Sequence, residues 1–163
     1  HGGTYTLSSG DDGIHADSNV TISGGTIDVA KSYEGIEGLS IDVTGGEISV
    51  LASDDGMNAA GGNDSSGFEG PGPGGDQFAS TEGAYIHNSG GMLHVNASGD
   101  GMDSNGDITV AGGETYVFGP TNDGNGSLDY SGDAQITGGI FAASGSSGMA
   151  QGFGSSSTRA LLW

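Results

Sequence analysis

The sequence has no cysteine, three prolines, one tryptophan and only two basic residues, Lys31 and Arg159. Without cysteine there is neither a disulfide framework nor a thiolate metal site. The two cations stand against 21 acidic residues, a formal net charge of −19. No cationic surface exists to neutralise phosphates, so nucleic acid is excluded as a partner. An anionic membrane surface is disfavoured for the same reason. No apolar run is long enough to cross a bilayer and no signal peptide is seen, so membrane insertion is not expected. The chain opens inside a repeat, at His1-Gly2-Gly3, and reads as a mature fragment or the ordered part of a longer protein. Hydrophobic residues make up 33%, too few for a thick layered core.

What the chain has in excess is glycine, 36 residues in 163. No Gly-X-Y period accompanies it, which excludes collagen. Instead, glycine pairs begin at Gly2, Gly24, Gly45, Gly90, Gly112 and Gly138, spaced 22, 21, 45, 22 and 26 residues apart. A period in the low twenties is the signature of a solenoid, with one long insertion accounting for the 45. Disorder would not place Ile and Val at fixed points of every repeat.

Each repeat carries three strand-like pieces. After the glycine pair, Tyr5/Leu7, Ile27/Val29, Ile48/Val50, Leu93/Val95, Thr115/Val117 and Phe141/Ala143 alternate inward. Before it, Val20/Ile22, Ile41/Val43, Ile86/Asn88, Ile108/Val110 and Ala134/Ile136 do the same. The third piece is short, with central apolar residues Ile14, Ile36, Met57, Met102, Leu128 and Met149. Nothing shows sustained helical periodicity. The predicted fold is all-β, a single-domain parallel β-helix over residues 1–163 with about 22 residues per coil and a loop insertion within 60–83, where Phe68 and Phe78 could pin the loop to the flank. Asn88, in an inward slot, requires a hydrogen-bonded partner.

The third piece also carries the chemistry. Two positions before its core residue stand Asp12, Glu34, Asp55 and Asp100, and one position after it stand His15, Glu37, Asn58, Asp103 and Asp129, with Asp11 and Asp54 as further acids. Solenoid coils lie about 4.8 Å apart. Neighbouring like charges at that spacing repel by about 0.9 kcal/mol even at water's dielectric constant. Asp-Gly turns explain one acid per corner, but not acids on both sides of the core residue, nor Glu34 and Glu37. A compensating cation does. Calcium fits best, taking several oxygens in flexible geometry, whereas zinc asks for His or Cys, neither of which recurs. The acids fade in the last repeat, where Ser147 and Ala150 fill the two slots.

The strings KSYEGIEG (31–38), ASDDGMNAAGG (52–62), DSSGF…GPGGDQF (64–78), NASGDGMDSNGDI (96–108), GPTNDGNGSLDYSGD (119–133) and SGSSGMAQ (144–151) together resemble one family. It is the bacterial cell-surface family of parallel β-helix carbohydrate-binding domains typified by a calcium-dependent polygalacturonate-binding protein. The resemblance implies a right-handed parallel β-helix, an extracellular, cell-surface location and non-catalytic binding of acidic plant polysaccharide (pectin, with cellulose as a further ligand). It also carries calcium onto Asp11, Asp12, Glu34, Glu37, Asp54, Asp55, Asp100 and Asp103. Lys31, Tyr33 and His15 flank the acids as candidate ligand-binding residues. Two other readings remain at this point. A pectate-lyase-like eliminase would need a base, and Lys31 is the first candidate. A structural filament, rigidified by calcium and self-associating end to end or side by side, would need neither sugar nor base. His87 and His94, outward in one coil, form a further candidate metal pair.

Overall fold

The computed structural model describes residues 1–60 and 80–158. Most of the expected insertion, with Phe68 and Phe78, and also Arg159, lie outside the described residues. Ten strands follow in order: β1 (Thr4–Ser8), β2 (Ile14–Ser32), β3 (Ile36–Ala52), β4 (Met57–Ala59), β5 (Tyr85–Ala97), β6 (Met102–Ser104), β7 (Asp107–Phe118), β8 (Leu128–Tyr130), β9 (Ala134–Ile136) and β10 (Ile140–Ser144). Every pairing is parallel, and the described residues form a β-solenoid of about six turns without a helix.

Three ladders run along the solenoid. One aligns Ile14, Ile36, Met57, Met102 and Leu128. A second aligns Val20, Ile41, Ile86, Ile108 and Ala134. The third aligns Tyr5, Ile27, Ile48, Leu93, Thr115 and Phe141. Ile36, Ile41, Ile48, Met57, Ile86, Leu93, Met102 and Ile108 are all 0% exposed. Like residues thus stack on like, and each buried aliphatic side chain contributes roughly 1.5–3 kcal/mol of transfer free energy. Asn88 is fully buried in this core and satisfied as expected: its Nδ2 donates to Thr115 Oγ1 at 2.6 Å, and its Oδ1 accepts from Gly90 N at 3.1 Å.

The expected pieces are joined more than their sequence suggests. In β2 and β3 all three run on as one strand that bends through the glycine pair. The second glycine of each pair makes the bend, with φ of 100° at Gly25, 107° at Gly46, 84° at Gly91 and 73° at Gly113. A Cβ on Gly113 would also lie 2.6 Å from the carbonyl oxygen of Gly91, one coil away. Both the left-handed backbone and the close stacking demand glycine.

The last coil departs from the sequence reading. Met149 is 38% exposed and does not extend the core ladder, which ends at Leu128. Residues 146–151 form no strand, so no backbone ladder carries Met149 inward. Phe153 instead packs edge-on against Phe141, with ring centroids 4.9 Å apart. Ala143, expected to face in, is exposed on the outermost strand β10.

Candidate functional site

The acids line one corner of the solenoid because the third piece repeats an acid, a glycine and a core residue. The glycine here serves close approach, not turn geometry: Gly35, Gly56 and Gly101 have no positive φ. A Cβ on Gly56 would lie 2.1 Å from Val95 Cγ1 and 2.6 Å from the carbonyl oxygen of Gly101. With glycine there, backbone bonds link coil to coil, from Gly35 N to Asp55 O and from Gly56 N to Asp100 O, both 2.9 Å. The acids therefore stack in register. His15, Glu37, Asn58, Asp103 and Asp129 are successive partners along the ladder.

The structure divides this line into two clusters. In the upper one, Asp12, His15 and Glu37 bring donor atoms within 4.8 Å of one another. His15 is a fixed counter-charge there. Its hydrogen bond with Glu37 does most to raise its pKa, burial opposes, Asp17 adds, and the value reaches about 9. Glu34 and Glu37 are 3% and 4% exposed, more buried than an outward column predicts. Burial pushes the Glu34 carboxyl up to about 8, against a hydrogen bond from Asn58 Nδ2 at 2.9 Å that lowers it.

In the lower cluster Asp55, Asp100 and Asp103 gather within 4.8 Å. They line an open cavity of about 390 Å³ together with Asp54, Asp129 and Asn105. Burial, then Asp103 and Asp54, push Asp55 up to about 9, although Asp100 N donates to its Oδ1 at 2.6 Å. Burial and the neighbouring acids push Asp103 up to about 7. Asp100 reaches about 6, mainly by burial, and its Oδ1 accepts from Gly126 N at 2.5 Å. Carboxyls held this far above their ordinary range face one another with no positive partner among the described residues. Between the clusters stands Asn58, 7% exposed, its Nδ2 given to Glu34 and its Oδ1 without a donor among the described residues. An acceptor stranded among acceptors is satisfied by a cation, and an oxygen-only donor set fits a hard one.

One comparison points to carbohydrate binding, over the first part of the chain. Residues 1–70 match the family described as Carbohydrate-binding domain-containing protein. The matched stretch holds Asp12, His15, Glu34, Glu37, Asp54, Asp55 and Asn58, while Asp100, Asp103 and Asp129 lie beyond it. No curated protein and no solved structure matches the chain.

The remaining candidates lie around this line. Asp11 is exposed and belongs to neither cluster, though its carbonyl accepts from Tyr33 N at 2.9 Å. Tyr33 is half-buried, and Lys31 is exposed and absent from the residues lining the cavity. His87 and His94 are turned to different partners, His87 Nδ1 to Asp42 Oδ1 at 3.3 Å and His94 onto the Tyr116 ring at 5.0 Å. Sequence reasoning passed over Gln151, whose Nε2 donates to Asp129 Oδ1 and so caps the line of acids in the last coil. An amide beside the vacated slots Ser147 and Ala150 was the available signal.

Proposed function

We propose that this chain is a non-catalytic carbohydrate-binding domain that takes acidic plant cell-wall polysaccharide of the polygalacturonate type through bridging calcium. The observation that carries the reading is the open cavity lined by Asp54, Asp55, Asp100, Asp103 and Asp129. Asp55, Asp100 and Asp103 would hold the ion. Calcium supplies open coordination positions that accept sugar carboxylates. Direct recognition by Arg or Lys is not available to a chain with two basic residues. Among the described residues, those lining the cavity include no Lys or Arg to act as the base of a β-elimination, which favours binding over lyase chemistry. A surface or extracellular setting, where plant polymer is met, belongs to the same reading.

The test is binding of polygalacturonate measured with calcium and with a chelator, with unsaturated uronate followed in parallel. Binding is expected only with calcium, and no unsaturated product on long incubation. Calcium-independent binding would refute bridging. Steady product formation would move the protein to the lyases, and calcium uptake without glycan binding to the structural filaments.

A further inference from the structure

The calcium site proposed above uses the lower cluster; Asp12 and Glu37, which the resemblance also assigns to calcium, stand with His15 in the upper one, whose chemistry differs. His15 Nδ1 lies 3.3 Å from Asp12 Oδ2 and 2.5 Å from Glu37 Oε2. Two ligands each about 2.0–2.1 Å from one zinc, at the tetrahedral angle, stand about 3.3 Å apart. The ring nitrogen and Asp12 already have that spacing, and Glu37 has to move back by less than about 1 Å to share it. The Asp12 and Glu37 side chains are each only 5% exposed, while that of His15 is 29% exposed, so the carboxylates are fixed and the ring is reachable from solvent.

Two further observations point to an ion. The far ring nitrogen, Nε2, sits 3.2 Å from Oδ1 of Asp17, a carboxylate that is itself 93% exposed. Metal-bound imidazoles are characteristically held this way: the other N–H donates to a carboxylate, which fixes the tautomer and turns the free lone pair to the metal. Next along the ladder from Glu37 is Asn58, buried, with its Oδ1 lacking a donor among the described residues.

We infer that Asp12, His15 and Glu37 form a binding site for a divalent transition ion of the zinc class, distinct from the oxygen-only cavity. Imidazole nitrogen suits zinc, copper and nickel, whereas calcium takes oxygen. On binding, the Nδ1 proton leaves to solvent, the Nε2 proton stays on the ring and is donated to Asp17, and two carboxylates with one neutral imidazole balance the ion's two charges. None of the lower carboxylates enters this site, so the inference and the calcium reading can fail separately.

Cobalt is the probe, titrated into the full chain with calcium present to fill the lower cavity. The expected result is one equivalent with visible bands of low coordination number, displaced by zinc. Affinity should fall at least tenfold in His15→Ala, and also in His15→Gln, which keeps a polar side chain at the position. It should be unchanged in Asp100→Asn. Retention of the same spectrum in His15→Ala, its loss in Asp100→Asn, or no cobalt uptake beside calcium would each overturn the inference. Cobalt binding as expected in a protein that shows no calcium binding would support it and remove the calcium reading alone.

Discussion

Gly99 occupies the slot that Asp54 fills one coil earlier, and its backbone N–H bonds Asp54 O at 2.9 Å. A Cβ there would lie 2.4 Å from Asp55 Oδ1, 2.6 Å from Asp54 Oδ1 and 2.8 Å from Asp54 C. No positive φ forbids alanine at this position. Gly99→Ala is therefore expected to push both carboxylates out of the cavity and to shift the Asp54 backbone it meets. Calcium affinity should drop at least tenfold, about 1.4 kcal/mol or more by calorimetry, with an unchanged far-ultraviolet spectrum. An unchanged calcium affinity would dissociate this glycine from the site. The protonation of the same residues sets a pH dependence. Asp55, Glu34, Asp103 and Asp100 are raised to about 9, 8, 7 and 6. An acid raised on folding binds its proton more tightly in the native state, so stability falls as pH rises from the unfolded value, about 4, through the folded one. His15, raised to about 9, acts in the same direction, because its stabilisation is complete below about 6.5 and is lost through about 9. With chelator, the melting temperature should fall steadily between pH 5 and 9. With calcium, which on the proposed reading binds the deprotonated carboxylates, the stabilising increment should grow over the same range. A chelated protein more stable at pH 9 than at pH 5 would contradict the site's electrostatics.

At the scale of the strand, the ladders make the solenoid a chain of nearest-neighbour contacts. Met57 sits between Ile36 and Met102 and is fully buried, so Met57→Ala should cost about 2–5 kcal/mol in urea unfolding. Gly113→Ala should cost at least about 1–2 kcal/mol, since it forces a side chain into a left-handed backbone and against Gly91. A neutral result at either position would mean that neighbouring coils do not stack as described. These ladders were legible in the sequence because a solenoid writes its geometry as a period: the glycine pair and two inward alternations recur in every coil. The acidic line was legible as a line, for the same reason. Its division was not, because that depends on one imidazole meeting three carboxylates and on one amide turned toward Glu34, neither of which repeats. The burial of Glu34 and Glu37 was hidden for a related reason. Glutamate reads as solvated unless its neighbours close over it. Met149 shows the converse error, where a motif match in SSGMAQ suggested a core position that no strand supports.

Over the whole molecule, a charge of −19 opposes any polyanion, and opposes it more strongly the longer that polymer is. The proposed binding of an acidic polymer therefore requires attraction that is local and that repeats. The lower acids lie on three successive coils, Asp55 and Asp100 in the slot before the core residue and Asp103 and Asp129 in the slot after it, with inter-coil steps of about 4.8 Å. Ions held along such a line meet a linear carboxylate polymer at several points, and each further contact forms at high effective concentration once the first is made. The expected signature is a dependence on chain length that exists only with calcium. Single galacturonate should bind weakly, at about the millimolar level, which corresponds to about −4 kcal/mol. Short oligomers should gain affinity with each added unit until the line is spanned, after which it levels off. Chelator should abolish binding at every length, and Asp55→Asn with Asp100→Asn should flatten the rise. The measurement is titration of oligogalacturonates of defined length by calorimetry, in calcium and in chelator. If single galacturonate binds as tightly as a long oligomer, recognition lies in one closed pocket and the line of acids is not what reads the polymer.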